Sequence, residues 1–177
     1  MKLVYILLLQ GLILSSCEQG DKKEKAGIYY DSYLEAIKPY TTGTEEILKE
    51  TKQIIQQRIN STGEIKVTQQ DSLKIMGLFN AFKLLADDTK SKLSKLETFD
   101  DFDLKSPALD YVDKSSKAIS GSYKEIVFPF QDNKTQMSQE KLESLISNFT
   151  EEFLQANKNF SDVQRKFLNK FGIRANN

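Results

Sequence analysis

Apolar residues recur alternately three and four positions apart in four separate stretches of this chain, with charged and amide residues between them. That spacing gathers each apolar set on one side of an α-helix and predicts amphipathic helices. The first set is Tyr29, Tyr33, Ile37, Tyr40, Thr44, Ile47, Thr51, Ile54 and Arg58, widened by Ile55 and Ile59; it predicts a helix over 28–60. The second set, Ile75, Phe79, Phe82, Leu85, Thr89, Leu93 and Leu96, predicts one over 69–98. Leu109, Val112, Ser116, Ile119, Tyr123 and Ile126 predict the shortest, over 107–127. The fourth set is the most regular: Leu142, Leu145, Phe149, Phe153, Ala156, Phe160, Val163, Phe167 and Phe171 predict a helix over 138–171. Nothing alternates with period two for long, and Ile65-Lys66-Val67 is too short to count as a strand.

The ends of these stretches carry start and stop signals. Thr68 with Asp71 three residues on reads as a variant capping box, its carboxylate at the positive end of the helix dipole. Ser106 reads as a hydroxyl cap ahead of Pro107, whose missing amide costs nothing in a first turn. Gly172 suits the left-handed residue that ends a helix. The first helix has a defect. Pro39 lacks the amide that would bond the carbonyl of Glu35, and Thr41, Thr42, Gly43 and Thr44 follow, all poor helix formers. Thr42 with Glu45 could cap a restarted helix, but the apolar stripe keeps its phase across the defect, which favours one kinked helix over two. The expected fold is all-α, an antiparallel up-down-up-down four-helix bundle over 28–175 built from rods ~45 Å long.

Ahead of the bundle the pattern changes. Met1-Lys2 is followed by an apolar run from Leu3 to Leu14, broken only by Gln10 and Gly11, and then by Ser15, Ser16 and Cys17. Twelve helical residues rise only ~18 Å against ~30 Å of hydrocarbon, so a secretory leader fits better than a membrane span. Leu14-Ser15-Ser16-Cys17 resembles the lipobox of bacterial lipoproteins. That resemblance implies a signal peptide over 1–16, cleavage between Ser16 and Cys17, and a lipid on the Cys17 sulfur. Two or more acyl chains hold a protein stably on a membrane. Residues 17–27 then read as the lipidated cysteine and a charged, flexible tether. Glu18 to Gly27 hold no large apolar residue, and ten residues of flexible coil span roughly 17 Å.

Removal of the first sixteen residues leaves 161, enough for one domain with a core. The 25 basic residues equal the 25 acidic ones, so no strong field draws the chain to nucleic acid. The chain has no histidine. That removes an imidazole base, a histidine-ligated metal and the Ser-His-Asp triad. The single cysteine forbids an intramolecular disulfide, and lipidation would consume its thiol.

The remaining candidates are modest. Tyr29, Tyr33 and Tyr40 share a helix face, with Tyr30 beside them, and fit either a groove or partner interface or the rim of a core. Ser116, Gly121 and Ser122 are small residues on the third helix and either leave room for a ligand or let two helices approach; Gly77 is similar. Asp100, Asp101 and Asp103 suggest a calcium loop. Counting from Asp101, however, Lys105, Ser106 and Val112 stand where an EF-hand needs an oxygen ligand, glycine and glutamate, so the cluster reads as a solvated connection.

Lipobox, charged tether and four stripes together make a layout similar to that of the small all-helical surface lipoproteins of leptospires and Bacteroidota. The resemblance spans the whole chain, rests on layout, and carries over Cys17 alone as the lipid attachment point. It implies a place in the bacterial cell envelope, at the outer membrane. The expected function is that of a membrane-anchored, non-catalytic interaction or structural module. Its partners would be the membrane, through the lipid, and a protein the sequence does not name; no cofactor beyond the covalent lipid and no nucleic acid are expected. The alternative is a ligand-binding bundle whose apolar interhelical pocket is opened by Pro39 and by the small residues of the third helix.

Overall fold

The computed structural model of the protein describes residues 2–59, 64–65, 68–128 and 137–174, with side chains from Gly20 onward apart from that of Glu64. It is all-helical. Helix α1 spans Lys2–Gln56, α2 Gln69–Ser94, α3 Lys105–Ala118, α4 Lys124–Val127 and α5 Gln139–Phe171. A π-helical turn, Ile119–Tyr123, carries α3 directly into α4. The one ladder among the described residues is two residues per strand: β1, Glu64–Ile65, runs antiparallel to β2, Met137–Ser138. It ties the connection after α1 to the start of α5.

Local chemistry sets the helix ends. The Thr68 hydroxyl accepts from the Asp71 amide at 3.1 Å, and the Asp71 carboxylate accepts from the Thr68 amide at 2.9 Å, so the expected capping box is formed. Arg58 then reaches the same carboxylate through Nε (2.7 Å) and Nη2 (3.2 Å), clasping the end of α1 to the start of α2. Ser138 caps α5 by accepting from the Lys141 amide, and Gly172 ends it at φ 62°, the left-handed conformation glycine adopts without strain. The start of α3 differs from expectation. The helix begins at Lys105, and its first turn is capped by the Asp103 carboxylate, which accepts from the Ser106 amide at 3.0 Å, in place of the expected Ser106 hydroxyl.

Helix α1 runs through Pro39 as one element, and Thr42 with Glu45 does not restart it. Pro39 and Glu35 are both exposed, so water can take the carbonyl that the proline leaves unbonded. Gly43 has a packing reason. A β-carbon there would lie 2.5 Å from Leu85 Cδ2, so the Leu85 side chain of α2 packs against this residue's bare backbone. Gly77 and Gly121 have open space where a β-carbon would go and are not such points.

The flexible tether expected over 17–27 is another difference. The chain is helical throughout 17–27 and continuous with α1, and its side chains are described from Gly20. Lys25 pairs with Asp21 one turn back, Lys22 bonds Asp100 at 2.9 Å, and Ala26 is fully buried. Those contacts supply what composition alone lacks. The side chains of Ser16 and Cys17, where cleavage and lipid attachment are expected, lie outside the described residues.

Cross-helix pairs order the packing. Between α1 and α2 they run Tyr40–Phe82, Glu50–Lys74 and Arg58–Asp71, with Tyr29 stacking on Phe99 just beyond α2. Tyr30 meets Phe167 and Tyr33 meets Phe160 across α1 and α5. Tyr111 stacks on Phe160, and Tyr123 packs on Phe149. The third stripe is rotated relative to its sequence reading. Ala108, Tyr111, Ser115 and Ala118 join Val112 inside, while Leu109 and Ser116 are half-buried. The wider π turn then resets the phase, keeping Tyr123 inside and turning Ser122 out to Glu152, whose two oxygens each accept at 2.8 Å.

Candidate functional site

The seam between α1 and α5 is filled over only part of its length. Near the start of α1 the rings of Tyr30, Tyr33, Phe160 and Phe167 bridge the two helices. Past Ile47 the inward residues of α1 are Thr51, Ile54 and Ile55, and those of α5 are Leu142, Leu145 and Phe149. Threonine and isoleucine are shorter than tyrosine, and no α1 ring spans the gap. Two apolar hollows open there. One, of about 330 Å³, is lined by Ile55, Ile59, Leu142 and Ile146 with Gln56, Gln139 and Ser147 at its edge. The other, of about 230 Å³, is lined by Leu48, Ile55, Tyr123, Ile126, Ile146 and Phe149. Lys52, Ile55 and Ile146 border both, so the two form one groove along α1 and α5.

The floor is neutral. Tyr123, donated by the π turn, is buried, which pushes its hydroxyl up to about 12, against the opposing effect of its hydrogen bond to Thr51. The charges stand at the rim: Lys49 and Lys52 on α1, and Glu143 on α5, whose Oε1 accepts from Gln139 at 2.8 Å. Glu50, between the two lysines in sequence, is paired with Lys74. The groove can therefore hold an apolar body by burial and select its polar end at the rim.

The residues singled out from the sequence lie elsewhere. Tyr33 and Tyr40 are core residues, 1% and 0% exposed, and Tyr29 is half-buried against Phe99 and Phe167. Tyr40 bonds the Ser115 hydroxyl inside the core. Burial raises the pKa of both Tyr33 and Tyr40. Gly121 borders a shallow polar hollow on the α3–α5 face with Lys114, Lys117, Ser122 and Glu152, apart from the tyrosines. Asp100 is not simply solvated: at φ 55° it faces Lys22 at 2.9 Å and Lys170 at 3.7 Å, and the Lys22 hydrogen bond leads in lowering its pKa. Among the described residues no group of three or more acidic or cysteine side chains is placed to hold a metal, and no helix is long and apolar enough to cross a membrane.

The sequence offers an apolar interhelical pocket as an alternative but ties it to Pro39 and the small residues of the third helix; the groove lies instead along Leu48–Ile59 of α1 and α5, and its signal was present. Ile55 and Ile59 widen the first stripe and Ile146 widens the fourth, giving these helices more apolar surface than a narrow seam consumes. Set against protein-family models, curated proteins and solved structures, the chain matches none of them.

Proposed function

We propose that the protein is a bacterial envelope lipoprotein, anchored at the outer membrane through a lipid on Cys17, and that its helices form an antiparallel up-down-up-down bundle serving as a non-catalytic binding module. The order of the cross-helix pairs supports the arrangement: residue numbers rise along α1 while they fall along α2 and α5. Leu14-Ser15-Ser16-Cys17 after an apolar run supports the anchor. The observation that carries the binding role is the groove, an apolar floor left open between α1 and α5 past the point where aromatic rings bridge the two helices. It favours an apolar small ligand over an unspecified protein partner, because the surface is concave and narrow.

The anchor is tested by Cys17→Ser. Fractionation of cells expressing this variant is expected to find it unprocessed or in the soluble fraction, and metabolic labelling with a clickable fatty acid is expected to leave it unlabelled. A variant cleaved and membrane-bound like the parent would rule the anchor out.

A further inference from the structure

We infer that the α1–α5 groove takes the single acyl chain of a free long-chain fatty acid, with its carboxylate between Lys49 and Lys52. This rests on the reading of the groove as a binding site and names its ligand class.

Shape narrows the choice first. The groove follows α1 from Leu48 to Ile59, about 16 Å at 1.5 Å per residue, and is only as wide as the gap between two helices. Its two hollows, about 330 and 230 Å³, together sit at the lower end of the range for small-molecule sites. A linear, flexible chain fits that form better than a ring system, and a two-chain phospholipid exceeds it. The floor of Ile55, Ile126, Leu142, Ile146 and Phe149 offers burial without a directional polar contact, which is what a methylene chain uses.

Charge then fixes the head. Lys49 and Lys52 are exposed, lie one turn apart on one rim, and make no ion pair among the described residues, since Glu50 is taken by Lys74. The rim's single carboxylate, Glu143, is turned to Gln139, and both border the larger hollow, whereas Lys49 borders the smaller. The groove is therefore cationic at its inner end. The protein's own anchor is not the source of the chain. Gly20 and Leu48 are separated by about 42 Å of continuous helix, and Cys17 lies beyond Gly20.

The test is photolabelling of the full-length lipidated protein in phosphatidylcholine vesicles, with diazirine-bearing palmitic acid and diazirine-bearing hexadecanol as probes and peptide mapping by mass spectrometry. The acid is expected to label peptides holding Ile55 and Ile146. Labelling should fall about tenfold in the Lys49→Gln/Lys52→Gln double variant, the loss of a charge-assisted contact to a carboxylate, and the alcohol should label the parent about tenfold less than the acid. Ile146→Trp, checked for unchanged helicity by circular dichroism, should block the groove and abolish labelling there. Equal labelling by acid and alcohol, or labelling indifferent to the lysines, overturns the fatty-acid assignment and leaves an apolar site standing. Absence of groove labelling by either probe, or labelling unaffected by Ile146→Trp, overturns the binding site as well.

Discussion

The two ends of the helical domain are built from the same helices and are filled differently. At the end nearer Gly20, Phe167 is fully buried and touches five rings, those of Tyr29, Tyr30, Phe99, Phe102 and Phe171, at centroid separations of 4.8 to 6.3 Å. At the other end the isoleucines and threonine of α1 offer no ring to meet Leu142, Leu145 and Phe149 of α5, and a groove remains. Each end has a polar clasp, Lys22–Asp100–Lys170 at the first and Arg58–Asp71–Thr68 at the second. Clasps hold helices at a distance, and side-chain volume decides whether that distance is filled. The filled end is where the structure is specified, and the unfilled end is where something else can be accommodated.

The largest effect should come from breaking the filled end. Phe167→Ala removes a ring that closes contacts from α1, α5 and the α2–α3 connection, and the cavity it leaves is enclosed on every side. A loss of about 3–5 kcal/mol is expected from urea unfolding monitored by circular dichroism. A loss under ~1 kcal/mol would mean the ring cluster does not set the stability of that end.

A smaller effect is expected at the clasp of the groove end. Burial pushes the Asp71 carboxyl up, but the Arg58 and Thr68 hydrogen bonds outweigh it and bring the group down to about 2 from 3.8. A carboxyl depressed in the folded state stabilises it fully above the ordinary pKa, and that contribution drains away as pH falls from 3.8 through about 2. Arg58 is 39% exposed, so water screens the pair and its contribution at neutral pH is about 1–2 kcal/mol. Asp71→Asn should lose about that much at neutral pH and flatten the fall of unfolding free energy across the same acid range. Unchanged acid dependence in the variant would assign the clasp no role.

Much of the helical framework could be read from the chain, and little of the groove. The Phe149-to-Phe171 ladder, the Thr68–Asp71 box and the Gly172 stop are local signals, each complete within a few residues, and the structure forms all three. Ala26 and Lys22 escaped because their fixing partners lie far along the chain; Asp100 is the plainest case. The rotation of α3 escaped because a π turn inserts a phase shift that a uniform period cannot represent. Gly43 is a poor helix former by its local sequence, and its contact with Leu85 comes from a different helix. The groove needs both α1 and α5 to be placed before the lack of a bridging ring becomes visible.

The smallest effect gives the sharpest test of the contrast. Ile146 is half-buried on the groove wall, and the methyl groups that alanine would remove already face open space. Truncation there forfeits some transfer free energy but encloses no new cavity, so Ile146→Ala should cost about 1 kcal/mol or less, well below the range for a closed core site. Urea midpoints of this variant and of Phe167→Ala, measured side by side at a common slope, compare the two ends directly. A comparable loss at both would show that α1 and α5 close on each other in solution, and the groove would no longer distinguish one end of the bundle from the other.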